Sequence, residues 1–87
     1  MRISNARDLG LYLRERRREA GLSQDELAIR AGVSRRWLSG FEGGKPTAEI
    51  GLIFRVTAAL DMVVDVKPEP PRELDLDVYL KRFEGPQ

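Results

Sequence analysis

Apolar residues recur three and four positions apart through most of residues 1–60, then run together in a short stretch at 62–66. The first spacing is that of amphipathic helices and the second that of a strand. Over residues 5–20, Leu9, Leu13 and Arg17 form one inward stripe with Ala20 close behind; Asn5 can cap the helix, Asp8 suits its positive end and Gly21 ends it. Leu11 and Tyr12 lie off that stripe, either partly exposed or packed under a neighbouring element. From residue 23 two short helices follow. Ser23 and Glu26 have the offset of a capping box, and Leu27, Ala28 and Ala31 share a face. Gly32 suits a left-handed helix end, Val33 is expected as a buried hinge, and Ser34 caps the next helix, whose Leu38 and Phe41 point inward. A further helix is expected from Thr47 or Ala48 to Leu60, with Ile50, Ile53, Phe54, Val56 and Leu60 inward and Gly51 weakening it slightly. It closes the core and contributes to a dimer contact.

Beyond residue 61 the character changes. The run MVVDV (Met62, Val63, Val64, Asp65, Val66) reads as one strand, and Pro68, Pro70 and Pro71 make a stiff spacer. Residues 73–83 can form a short helix with Leu76, Tyr79, Leu80 and Phe83 on one face. That face either packs on the protein's own dimer or is captured by a partner. The expected architecture is mainly α: a compact body of four to five helices, residues 1–60, then a strand segment, 61–68, and a Pro-containing tail, 69–87.

Length and charge sharpen this picture. Eighty-seven residues make one small domain, for which oligomerisation is a common source of added stability. The lone strand points the same way. Its backbone N–H and C=O groups need a neighbour and nothing else in the chain reads as a strand, so a second copy pairing antiparallel across a two-fold axis satisfies both. Alternation would set Met62, Val64 and Val66 over the helices and Val63 and Asp65 on the other face. Residues 1–60 carry 11 basic and 7 acidic side chains, net +4, whereas residues 61–87 carry 4 and 7, net −3. A basic body with an acidic tail suits two different partners, although ordinary surface charge gives the same totals. With neither Cys nor His, the chain has no disulfides, no thiolate zinc site and no His-dependent catalysis. No metal, cofactor or enzymatic activity is expected. The first ten residues lack an apolar signal core and no run is long enough to span a bilayer, so a cytoplasmic protein without membrane contact is expected.

A capped helix, a Gly turn and a second capped helix with arginines in its first turn describe a DNA-binding helix-turn-helix. Arg35, Arg36 and Ser39 fall on the outward side of the second helix. An arginine fork matches guanine O6 and N7 in the major groove, so these three are the candidate base contacts. Solvated arginines, or one of them on a phosphate, are the other readings. Candidate phosphate contacts are Gln24 and Ser34 at helix starts, Trp37 through its indole N–H, Lys45 in the exit loop, and Arg14 on the first helix. For Gln24 simple capping is the alternative, and for Arg14, Arg16 and Arg18 a solvated helix face. Gly40 departs from helix propensity by about 1 kcal/mol relative to Ala, and close approach to DNA would explain it. Asp25 and Glu26 are helix-start acids with no DNA role, and Arg30 is solvated.

The residues Leu22-Ser23-Gln24, Leu27-Ala28, Gly32-Val33-Ser34, Leu38-Ser39 and Glu42 followed by glycine resemble the lambda-repressor/Cro-type helix-turn-helix family over residues 9–60. With the strand-like MVVDV and the LDLDVYL tail, the chain looks most like the HipB-type antitoxins. The resemblance implies a lambda-repressor-like fold, a structural ion pair between Arg17 and Glu42, and a Gln24 that meets a phosphate and braces a base-reading side chain. It further implies a homodimeric repressor of double-stranded palindromic operator DNA, the antitoxin of a toxin–antitoxin pair that represses its own operon and binds a HipA-type kinase toxin. A stand-alone regulator without a toxin fits the same residues. An adaptor using the motif only as a scaffold would want a neutral or acidic recognition helix, which Arg35 and Arg36 argue against.

Overall fold

The computed structural model describes residues 2–70. Four helices occur among them: α1 Ala6–Glu19, α2 Gln24–Ala31, α3 Arg35–Glu42 and α4 Ile50–Ala59. Each of the first three starts on a side-chain cap. Asn5 accepts the Asp8 N–H at 2.8 Å, Ser23 accepts the Glu26 N–H at 3.0 Å while Glu26 returns a bond to the Ser23 N–H, and Ser34 accepts the Trp37 N–H at 3.0 Å.

All four helices end in one manner, with a residue of positive φ and a pair of bonds that satisfies two terminal carbonyls. After α2 the residue is Gly32 at φ 70°, and Val33 N–H reaches the Ala28 carbonyl at 3.0 Å. This reversal is the turn of the motif, and it sends α3 across α2. After α4 the same job falls to Asp61 at φ 56°, with Met62 N–H on the Thr57 carbonyl at 2.9 Å. Asp is one of the few side chains that visits this region with modest strain.

α1 packs against α3, and α2 packs against both α3 and α4. Leu13, Leu27, Ala28, Ala31, Leu38, Phe41 and Val56 form the buried core. Each of its larger side chains contributes about 1.5–3 kcal/mol by leaving water. On α1 Ala20 is exposed, because the chain already turns away at Gly21, and Gly10 is buried instead. A Cβ at Gly10 would collide with the Phe41 carbonyl, so the missing side chain is what lets α1 and α3 touch backbone to backbone. Val33 is half-buried rather than fully buried.

α4 departs most from expectation. It begins at Ile50, not at Thr47 or Ala48, since Ala48 packs on the core from the connection. Its buried face is Ile53, Val56, Thr57 and Leu60, a true i, i+3, i+4, i+7 series. Ile50 and Phe54, expected inward, are 67% and 49% exposed. Phe54 lies about 100° round the helix from Ile53, so both cannot face α2. Thr57 takes the buried place, its hydroxyl satisfied by the Phe54 carbonyl at 3.0 Å.

Residues 62–70 follow α4 without regular secondary structure. Met62 is half-buried, whereas Val63 and Val66 are 88% and 89% exposed, so Val66 does not lie over the helices of its own chain. Glu69 returns to Arg2 at 2.7 Å, an exposed pair of small energetic weight. Among the described residues there is no strand for residues 62–66 to pair with. The expected helix at 73–83, with Leu76, Tyr79, Leu80 and Phe83, lies outside the described residues. Among the described residues no helix is long and apolar enough to cross a membrane.

Candidate nucleic-acid interface

α3 divides cleanly into two faces. Leu38 and Phe41 are at most 1% exposed, while Arg35, Arg36 and Ser39 are exposed on the other side. The division follows from helical spacing, and the Ser34 cap sets where the first turn starts. Arg35 and Arg36 stand in the first turn of α3, where side chains tend to lean towards the helix N-terminus. Trp37 is half-buried, its ring stacked on Phe41 with centroids 5.0 Å apart and planes 14° apart. Lys45 is exposed beyond Gly44, whose φ of 93° turns the exit loop, and the Lys45 stem runs beside Gly40.

Behind this face Arg17 and Glu42 form a doubly bonded pair. Arg17 Nε donates to Glu42 Oε2 and Nη2 to Oε1, each at 2.8 Å, and Nη1 donates to the Leu22 carbonyl at 2.7 Å. The two side chains are 10% and 2% exposed. The bond to Glu42 outweighs desolvation and raises the Arg17 pKa above the usual arginine value, so the guanidinium stays charged. The pair ties the end of α3 to α1 and to the start of the motif.

Gln24 joins that network. Its Nε2 donates to Glu42 Oε1 at 3.1 Å and the side chain is half-buried, so one amide hydrogen is already engaged inside the protein. Its carbonyl oxygen and second amide hydrogen remain beyond that bond. Ser34 similarly uses its oxygen as the α3 cap, which leaves its hydroxyl hydrogen able to donate. Arg14 is half-buried on α1, on a different helix from the α3 first turn.

Three charged residues carry more than their sequence positions suggested. Asp25, in the first turn of α2, accepts a 3.5 Å bond from Arg35 Nη1, and Arg35 Nε lies 3.4 Å from its other oxygen. Arg55 on α4 donates to the Gly32 carbonyl at 3.1 Å and latches α4 to the turn. Arg7 lies along Gly44, beside the exit loop. Asp25 and Arg35 each open a capped helix, which is the one signal of their meeting in the sequence. For Arg7 and Arg55 the sequence holds none.

The family described as "Helix-turn-helix domain" matches residues 8–73. An uncharacterised HTH-type transcriptional regulator of Sinorhizobium fredii is 43% identical over 65 residues, 75% of this chain and 86% of that one. Among solved structures, HipB in its complex with an O4 20mer superposes with a TM-score of 0.74 at 20% identity, over 80% of this chain and 99% of the other. HipB in a HipA-HipB-O2-O3 complex gives the same values. SinR, a master regulator for biofilm formation solved with DNA, reaches a TM-score of 0.60 at 34% identity, over 63% of this chain and 89% of its own.

Proposed function

This chain belongs to the helix-turn-helix domain family, and from that premise we propose that, beyond being a DNA-binding transcriptional regulator, it is a sequence-specific repressor that works as a homodimer on a palindromic operator. The observation that carries this is α3 itself. Its apolar face is buried, its far end is held by the Arg17–Glu42 pair, and its first turn presents two exposed arginines. Arg35 and Arg36, with Ser39 one turn on, read base edges. Gln24, Ser34, Trp37, Lys45 and Arg14 contact phosphates and set the docking register.

The organisation follows the same logic. Residues 1–60 bind DNA, residues 61–68 pair two subunits through Met62, Val63, Val64, Asp65 and Val66, and residues 69–87 form the acidic tail. The high exposure of Val63 and Val66 in a single chain supports a partner strand at that position. Such a dimer sets its recognition helices roughly 34–36 Å apart, one DNA turn.

Within this reading the protein is the antitoxin of a HipA/HipB-type pair. What favours it over a stand-alone regulator is the reach of the fold likeness, 80% of the chain against HipB but 63% against SinR. A kinase-like reading frame beside the gene and co-purification of its product support the antitoxin; a gene with neither is a stand-alone regulator. The DNA reading is tested by binding-site selection. Arg35→Ala and Arg36→Ala should each lose about 1–3 kcal/mol and relax one position per half-site, whereas Lys45→Ala should weaken all sequences alike. An unchanged motif at unchanged affinity for both arginine variants would remove the base-reading assignment.

A further inference from the structure

The first turn of α2 reaches both ends of α3. Gln24 bonds Glu42 in its last turn, and Asp25 meets Arg35 in its first. The first contact is half-buried and structural. The second is different, because its side chains are 64% and 61% exposed and their separation is long, 3.4–3.5 Å. An exposed ion pair of this kind adds little to stability. A carboxylate on the side that faces DNA also repels phosphates, which weakens association with any sequence. Its place in the first turn of α2 suits the helix dipole, but that position does not require contact with Arg35, and the charge opposes non-specific binding.

We propose that Asp25 is a specificity-positioning residue that acts through Arg35. The proposal rests on the base-reading role assigned to Arg35 above. Asp25 engages one Nη1 hydrogen, and both Nη2 hydrogens and the second Nη1 hydrogen of the guanidinium are not taken up by that bond. Those are donors that the O6 and N7 acceptors of guanine can receive. Arg35 thus meets the groove with its long stem already directed, instead of ordering it at the moment of docking. Swinging Arg35 to a phosphate is penalised, because it separates the pair and leaves the carboxylate uncompensated beside the backbone. Asp25 exchanges affinity for discrimination.

The direction of the effect is diagnostic. Asp25→Asn keeps the size of the side chain and leaves the Ser23–Glu26 capping box untouched. It should bind a scrambled duplex about two- to five-fold more tightly, the range expected for one exposed charge interaction. It should also relax preference at one half-site position by a similar factor, the position that Arg35→Ala relaxes. Its thermal midpoint should match that of wild type. The test is competition anisotropy at fixed salt on the selected duplex, its single-base variants and a scrambled duplex, using wild type, Asp25→Asn, Arg35→Ala and the double variant. In the Arg35→Ala background, Asp25→Asn should leave base preference unchanged. If Asp25→Asn relaxes no position, or relaxes one equally with and without Arg35, the positioning role is overturned while base reading by Arg35 stands. If Arg35→Ala itself leaves preference intact, the base-reading assignment fails and this proposal falls with it.

Discussion

Removing Glu42 should cost more stability than removing any exposed charge, although Glu42 need not touch DNA. Glu42→Ala strips Arg17 of two 2.8 Å bonds and leaves its guanidinium, 10% exposed, with the Leu22 carbonyl as its remaining acceptor. Gln24 loses its partner in the same step. Breaking one side of a buried pair typically costs about 3–5 kcal/mol, because the surviving charge is stranded out of water. Arg17→Ala should cost as much, since Glu42 is then left buried with only Gln24 as donor. A chain of this length is stable by about 4–13 kcal/mol in all, so either variant loses about a quarter of that margin or more. Urea denaturation followed by helical circular dichroism reads the effect. With a slope of about 1 kcal/mol/M, the midpoint should fall by about 3 M or more, or the variant should be unfolded in buffer. Replacing both residues, Arg17→Met with Glu42→Leu, should recover most of the loss because no charge is left unpaired. Midpoints within error of wild type for both single variants would refute a stabilising pair.

Gly10→Ala places a methyl group against the Phe41 carbonyl and should destabilise the domain by about 1–3 kcal/mol in thermal melts, the reverse of the usual gain for a helical Gly; a stabilised variant would contradict the close α1–α3 contact. Glu26 is held below the ordinary glutamate pKa by the Ser23 backbone N–H first and the Ser23 hydroxyl second. Its contribution is therefore complete above the unfolded value, near pH 4.5, and lost as pH falls through the lower folded value. The midpoint gap between wild type and Glu26→Ala should narrow in acid, and a gap that stays constant would oppose this account. Val64→Lys should shift the protein towards monomer in sedimentation and cut operator affinity sharply while the helical signal persists; an intact dimer at full affinity would show that residues 62–66 do not join the subunits.

Much of the fold is legible because it is local. Asn5, Ser23 and Ser34 cap helices through bonds that span three residues, and Gly32 closes its helix through atoms within one turn. The two faces of α3 follow from its spacing, as does the inward place of Arg17 on α1. The larger misses are non-local. Ile50 and Phe54 are apolar enough for a core, but which side of α4 meets α2 is set by where the connection from α3 delivers the helix. Thr57 carries a hydroxyl that gives no sign of burial in the sequence, and the helix satisfies it internally. Gly10 gives no sign of its role until a second backbone is laid against it.

The sequence by itself determined where α1 to α3 begin and end, most of the residues that face inward on them, and that the motif's outward side is basic, since all of these depend on bonds and periodicities within a few residues. Only the tertiary structure decided that Gly10 is a contact and not a flaw, that α4 buries Thr57 and exposes Phe54, and that Asp25 meets Arg35. Those outcomes depend on distances between helices that are far apart along the chain, and helical spacing carries no record of such distances.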